Sequence, residues 1–149
     1  MIRTALSQDI PEMARLGRLF FNESGYSILG DYSEKSVKES LTTFLESGQC
    51  VLIVAEEDDE IVGIAGALIF PLYLNQNIKM SQELFWWVHP EKRGTIGKEM
   101  LTYMEKQLEG NGVNALIMIC LENLNPSLTG KLYERRGYKL IEHNYMRVF

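Results

Sequence analysis

Residues Val88-His89-Pro90-Glu91-Lys92-Arg93-Gly94-Thr95-Ile96-Gly97-Lys98 combine the parts of an anion site. An apolar run, Leu84 to Val88, stops at Pro90, and a helical pattern starts at about Gly97. Gly94 and Gly97 permit positive φ and let a ligand come close to the backbone. The first turn of a helix carries N–H groups without an intrahelical acceptor, at the positive end of its dipole. Lys92, Arg93 and Lys98 place three cations here, in a chain of net charge −5. Val88, Thr95 and Ile96 complete the backbone of the loop. The ligand such a site suits is a phosphate or a diphosphate. One exposed charge near a helix end contributes about 0.3–1 kcal/mol, so the amide array must carry most of the affinity.

Two familiar phosphate loops do not fit. A P-loop needs Gly-x-x-x-x-Gly-Lys-Ser/Thr, and here Gly97-Lys98 is followed by Glu99 with no glycine at the required spacing before it. A dinucleotide loop needs three spaced glycines at the start of a βαβ unit, and this segment has two. A turn with solvated basic residues is the bland alternative.

Around this loop the hydropathy pattern orders the elements. Met1 to Ala5 reads as a short edge strand. Ile10, Met13, Ala14, Gly17, Phe20 and Phe21 fall on one helical face, with Ser7 or Asp9 as N-cap. Glu23 to Tyr32 reads as a loop. Ser33 caps a second helix with the stripe Val37, Leu41, Phe44 and Leu45, and Gly48 ends it. Val51 to Ala55 and Ile61 to Leu74 then form an antiparallel pair across an Asp58-Asp59 turn. After the Leu84–Val88 strand comes the helix striped by Ile96, Met100, Met104 and Leu108. Ala115 to Leu121 reads as a continuous strand buried on both faces. Asn125-Pro126-Ser127 opens a short helix to about Arg136, stopped by Gly137. Two last strands are expected near Tyr138 to Ile141 and Tyr145 to Phe149. The expected order is β-α-α-β-β-β-α-β-α-β-β: an α/β fold, residues 1–149 forming one domain around a mixed, mostly antiparallel sheet.

Composition narrows the class. The chain has 149 residues, 46% hydrophobic and 10% aromatic, enough for a real core. Its acidity argues against bulk attraction to nucleic acid or anionic lipid. No apolar run approaches the roughly 18 residues of a membrane span. No signal peptide is read at the N-terminus. Cys50 and Cys120 are expected as reduced, buried thiols in a cytoplasmic protein, Cys120 packed in mid-strand. His89 and His143 have no ligand-spaced partner, so no metal site is expected. Trp86 and Trp87, neighbours on a strand, point to opposite faces: one to the core, the other to a cleft.

A second block completes the picture: Asn125-Pro126-Ser127, then Leu132-Tyr133-Glu134-Arg135-Arg136-Gly137-Tyr138. With Val88-His89-Pro90, Arg93-Gly94, Ile96-Gly97-Lys98 and Leu101, it resembles the GNAT superfamily of N-acetyltransferases. There a strand ending in Val-x-Pro leads into an Arg/Gln-x-x-Gly-x-Gly/Ala loop, and a later helix carries Leu-Tyr-Glu-Lys-x-Gly-Phe. The order of elements over the whole chain agrees. Counted from Val88, the family's arginine falls on Arg93. Counted back from Gly97, it falls on Lys92, and Thr95 takes the place of the middle glycine. The loop is one residue short. Thr129 stands close to the family's usual alanine.

The resemblance implies that the loop amides hold the diphosphate of acetyl-CoA, as co-substrate. It implies transfer of the acetyl group to a primary amine, on a small molecule or a protein, by direct attack in a ternary complex. Tyr133 falls on the tyrosine that acts as general acid near the coenzyme sulfur in many members. Glu83 resembles the family's frequent strand carboxylate and is the candidate base; a solvated strand-end charge is its bland reading. A backbone N–H near Val88 would polarise the carbonyl. Asn125 would bond the pantetheine arm or cap its own helix. The alternative function is a non-catalytic acyl-CoA sensor or protein-interaction module on the same fold. A longer acyl group is a further variant of the enzyme reading. The adjacent tryptophans and the C-terminal strand could serve a homodimer.

Overall fold

The apolar runs pair in chain order. β1 (Ile2–Thr4), β2 (Cys50–Glu57), β3 (Glu60–Leu72), β4 (Asn75–Val88) and β5 (Ala115–Ile117) form one sheet, β1-β2-β3-β4-β5. The first three junctions are antiparallel and the last, β4 with β5, is parallel. This computed structural model describes residues 1–149. The helices are α1 (Ile10–Ser24), α2 (Glu34–Ser47), α3 (Ile96–Gly110) and α4 (Pro126–Arg135).

Local chemistry accounts for several boundaries. Asp58 and Asp59 both take positive φ, 51° and 65°, so β2 and β3 join through a two-residue turn whose twist suits a hairpin. Ser33 Oγ accepts from Ser36 N–H at 3.3 Å at the start of α2, and Gly48 at φ 65° ends it. Asp9 precedes α1 but does not cap it: its carboxylate accepts from Leu6 N–H at 2.7 Å and from the Arg3 guanidinium at 2.6 and 3.0 Å. The Arg3 contact is the main reason its pKa lies below the usual carboxylate range.

Each face of the sheet buries its own core. α1 and α2 press Met13, Leu16 and Leu41 onto Leu52, Val54, Ile64 and Trp87. α3 presses Met100, Met104 and Leu108 onto Ile53, Ala65, Ala67 and Val88. α4 lies beside α3, tied by Arg136, whose guanidinium bonds Glu105 and Thr102. Burial of apolar surface on both faces, at about 25 cal/mol per Å², is the main force that sets the helices on this sheet.

Three expectations change. The strand expected at Leu84–Val88 begins at Asn75, and β3 ends at Leu72. Ala115–Leu121 is not one buried strand: only Ala115–Ile117 pairs, and Cys120 is exposed rather than packed. The two final strands do not form. Beyond Tyr138 the backbone makes no backbone–backbone hydrogen bond, and Leu140, Ile141, Tyr145 and Phe149 are exposed. Alternation of apolar residues is not sufficient, because a strand needs a ladder partner. The two free edges of the sheet, β1 and β5, are each only three residues long.

Gly66 lies opposite Phe85, and a Cβ there would sit 2.7 Å from Phe85 Cζ and 3.1 Å from Leu52 Cδ2. Gly66→Val is expected to lower the unfolding free energy by about 1–3 kcal/mol. An unchanged urea midpoint would show that the ring moves aside at no cost.

Candidate active site

An extra residue in β4 organises the site. The β3–β4 register steps from Gly66↔Phe85 to Ala67↔Glu83 and leaves Leu84 unopposed, a β-bulge. The step shifts the alternation, so Glu83, Trp86 and Val88 share the α3 face, while Phe85 and Trp87 face α1 and α2. Pairing of β4 with β5 ends just before the bulge, at Gln82↔Ile117. Beyond that point the two chains part, and a cleft of about 550 Å³ opens between them.

Glu83 and Tyr133 meet at the apex of this fork, on one residue. Glu83 Oε2 accepts from Ile119 N–H at 3.0 Å, and Tyr133 Oη donates to Ile119 C=O at 3.1 Å. Each is only 6% exposed. Burial pushes the Glu83 carboxyl up to about 7, against the opposing pull of the Ile119 hydrogen bond. Burial also raises the Tyr133 phenol, helped by the nearby Glu83 charge. The Trp86 ring lies 6.1 Å from the Tyr133 ring, and its indole N–H donates to Gly97 C=O at 3.1 Å. Trp86 thereby fastens the strand to the loop.

The loop closes the other end of the cleft. A single 3₁₀ turn, Pro90–Lys92, follows β4; Gly94 takes φ 152°, and α3 begins at Ile96. The N–H groups of Gly94, Thr95, Ile96, Gly97 and Lys98 donate to no backbone or side-chain acceptor, and Thr95 makes no side-chain cap. Five free amides at the head of a fifteen-residue helix form an anion cradle. The Val88 N–H also turns to the cleft: His89 N–H donates to Val62 on β3, so strand alternation points the Val88 N–H to the edge that β5 has left.

Two of the three cations are already engaged. Arg93 crosses the strand edge, with Nε donating to Val88 C=O at 3.0 Å and Nη2 donating to Glu23 Oε2 at 2.8 Å. Lys92 pairs with Glu57 and does not line the cleft. Lys98, Arg93, Gly94 and Gly97 do line it, whereas Ile96 packs on the α3 core. Asn125 reaches the cleft wall at φ 51°, and its side chain accepts from Leu128 N–H at 3.3 Å, so it caps α4.

Sequence reading did not find Ile119, Asn123 or Thr129 on the cleft wall. Ile119 contributes through its peptide, which leaves no mark in residue type. Cys120, adjacent to it, has its thiol pKa raised by partial shielding of the sulfur from water, despite the residue's exposure, and next by the nearby Glu83 carboxylate. That disfavours a thiolate nucleophile.

Because the folded pKa of Glu83 exceeds its ordinary value near 4.5, ionisation of Glu83 opposes folding. Its burial costs nothing below about pH 4.5 and progressively more as pH rises through 7, up to about 3 kcal/mol. Urea titrations should therefore show wild-type stability falling over this window relative to Glu83→Gln. Parallel curves would mean that Glu83 keeps an ordinary pKa.

Comparison with known proteins bears on the family and the fold. A family model, the Acetyltransferase (GNAT) family, matches residues 17–138. A transcriptional regulator from Bacillus halodurans C-125 has the same fold, with a TM-score of 0.80 at 19% identity over 100% of this chain and 99% of that one. An acetyltransferase from Clostridium acetobutylicum, described as predicted and solved with acetyl-CoA, gives 0.77 at 17% identity over 100% and 95%. The ribosomal-protein-alanine N-acetyltransferase from Brucella melitensis biovar Abortus 2308 gives 0.76 at 19% over 100% and 98%. No curated protein sequence matches. With the family model matching most of its length, this chain belongs to the GNAT acetyltransferase family.

Proposed function

We propose that this protein transfers the acetyl group of acetyl-CoA to a primary amine by direct attack within a ternary complex. The observation that carries the reading is the row of five unsatisfied amides from Gly94 to Lys98, at the mouth of a fork whose apex holds Glu83 and Tyr133. The diphosphate of the coenzyme would take those amides, with Lys98 and Arg93 nearby. The pantetheine arm would run along the β4 edge left unpaired after Gln82.

An amine of pKa about 10.4 must lose a proton before it attacks, at a cost of roughly 4.6 kcal/mol at pH 7. Glu83, with a pKa of about 7, is poised to take that proton directly or through a water. The nitrogen then bonds to the thioester carbon, the C–S bond breaks, and the thiolate needs a proton or a strong donor. Val88 N–H supports the reading of a backbone donor for the carbonyl oxygen. Tyr133 supports the thiolate. Its phenol is a weaker acid than usual, so a hydrogen bond that strengthens late in the reaction is the better account than early proton donation. Tyr133 must leave Ile119 C=O to give it.

Tyr133→Phe is expected to lower kcat about 10²-fold with little change in CoA affinity by calorimetry. In wild type, kcat/KM should rise with pH through about 7, and Glu83→Gln should lack that step. Gly97→Val would put a Cβ 3.3 Å from the Trp86 ring with further methyls in the cradle, and should weaken CoA binding. CoA binding without amine-dependent thiol release would instead identify a coenzyme sensor, and absence of CoA binding at millimolar concentration would overturn the whole reading.

A further inference from the structure

The apex of the fork is braced from outside the cleft. Gly137 takes φ 90° and ends α4 in a Schellman turn: Tyr138 N–H donates to Tyr133 C=O at 3.0 Å, and Gly137 N–H donates to Glu134 C=O at 3.0 Å. That turn folds Tyr138 back over Tyr133, and the two ring centroids lie 5.5 Å apart, tilted by 44°. Trp86 is the other aromatic neighbour of Tyr133, at 6.1 Å and 36°. Two rings thus set the plane of the Tyr133 phenol, and Tyr138 is one of them.

Tyr138 is itself held by its hydroxyl. Its Oη donates to Glu105 Oε1, on α3, at 2.8 Å. Arg136 orients that carboxylate: its Nε donates to Oε1 at 3.2 Å, and its Nη2 donates to Oε2 and, at 3.0 Å, to Thr102 Oγ1. The Arg136 and Glu105 side chains are 25% and 32% exposed, so water screens this pair less than it screens a pair at the open surface. Neither Glu105 nor Tyr138 lines the cleft. The Leu-Tyr-Glu-Lys-x-Gly-Phe pattern has phenylalanine where this chain has Tyr138, and a phenylalanine would offer Glu105 no donor.

We propose that Glu105 is a positioning residue for acetyl transfer: through the Tyr138 hydroxyl it fixes the ring that in turn fixes Tyr133. The inference rests on the acetyltransferase reading and adds to it a group outside the cleft. Tyr133 must leave Ile119 C=O to serve the departing thiolate. Once that hydrogen bond breaks, the packed rings are what keep the phenol on course, and a misplacement of about 1 Å costs up to about 10²-fold in rate. A tie between α3 and α4 needs only Glu105 and Arg136. The Tyr138 hydroxyl extends that tie to the ring against Tyr133.

The test uses the full chain loaded with CoA and follows ionisation of the bound thiol by thiolate absorbance, as the difference from protein loaded with desulfo-CoA. It needs no acceptor amine. Loss of the phenol in Tyr133→Phe should lower the ionisation constant of the bound thiol about tenfold. Glu105→Ala and Tyr138→Phe should each lower it about three- to tenfold, with CoA affinity by calorimetry unchanged. Added to Tyr133→Phe, neither should lower it further, because both act through that phenol. Tyr138→Phe keeps the ring and the Glu105–Arg136 pair, so it reports on the hydroxyl even if Glu105→Ala loses structure. An unchanged constant in Tyr138→Phe, or the same drop in the Tyr133→Phe background, would overturn the positioning role and leave acetyl transfer standing. A constant indifferent to Tyr133→Phe, or no CoA bound at all, would instead overturn the acetyltransferase reading of Tyr133, and the positioning role with it.

Discussion

The parting of β4 from β5 after Gln82↔Ile117 is the constraint on which the rest depends. A closed ladder would satisfy the backbone of both strands and leave no room for a ligand. Here one unopposed residue, Leu84, turns β4 away, and each strand keeps polar backbone groups without a sheet partner. Two of these, on Ile119, are satisfied by Glu83 and Tyr133. The side chains best suited to move protons are thus the ones that hold the fork in shape.

That double duty has an electrostatic cost. Glu83 is buried with one backbone donor and no cation beside it, so its ionised form is disfavoured. Tyr133 is shielded by Trp86 and Tyr138, whose rings lie 6.1 and 5.5 Å away, and its proton is held tightly. A carboxyl near neutrality beside a reluctant phenol is the pairing that the proposed acetyl transfer would use as base and hydrogen-bond donor. At the loop the balance is reversed. Two of the three cations there are held by carboxylates, Arg93 by Glu23 and Lys92 by Glu57, and orientation falls to the free amides of Gly94 to Lys98. Exposed ion pairs contribute little, about 0–1 kcal/mol, and yield readily to a ligand.

The sheet divides the labour between its faces. The α3 face carries the cleft, with Glu83, Trp86 and the amide cradle; the α1–α2 face carries an aromatic cavity. Arg93 and Glu23 join the loop to the last turn of α1, so the two faces share one ion pair at the rim.

What was legible in the residues was local. Ser33 and Gly48 bound α2 because a hydroxyl and a missing Cβ act within one turn of chain. Asp58-Asp59 makes a hairpin for the same reason, and the run from Pro90 to Lys98 reads as a loop feeding a helix N-terminus. The residue types of Glu83 and Tyr133 were readable, but their meeting on the Ile119 peptide was not. Tertiary structure decided the rest. The bulge at Leu84 depends on how Gly66 and Ala67 meet the opposite strand, and it sets the face to which Glu83, Trp86 and Trp87 point. The run Ala115–Leu121 and the tail after Tyr138 are apolar enough for strands, yet their pairing was settled by whether a partner edge was present. Asp9 looked like a helix cap until Arg3, across a turn of chain, claimed its carboxylate. Caps and turns are written within a few residues, whereas register and satisfied backbone belong to pairs of segments that only the folded chain brings together.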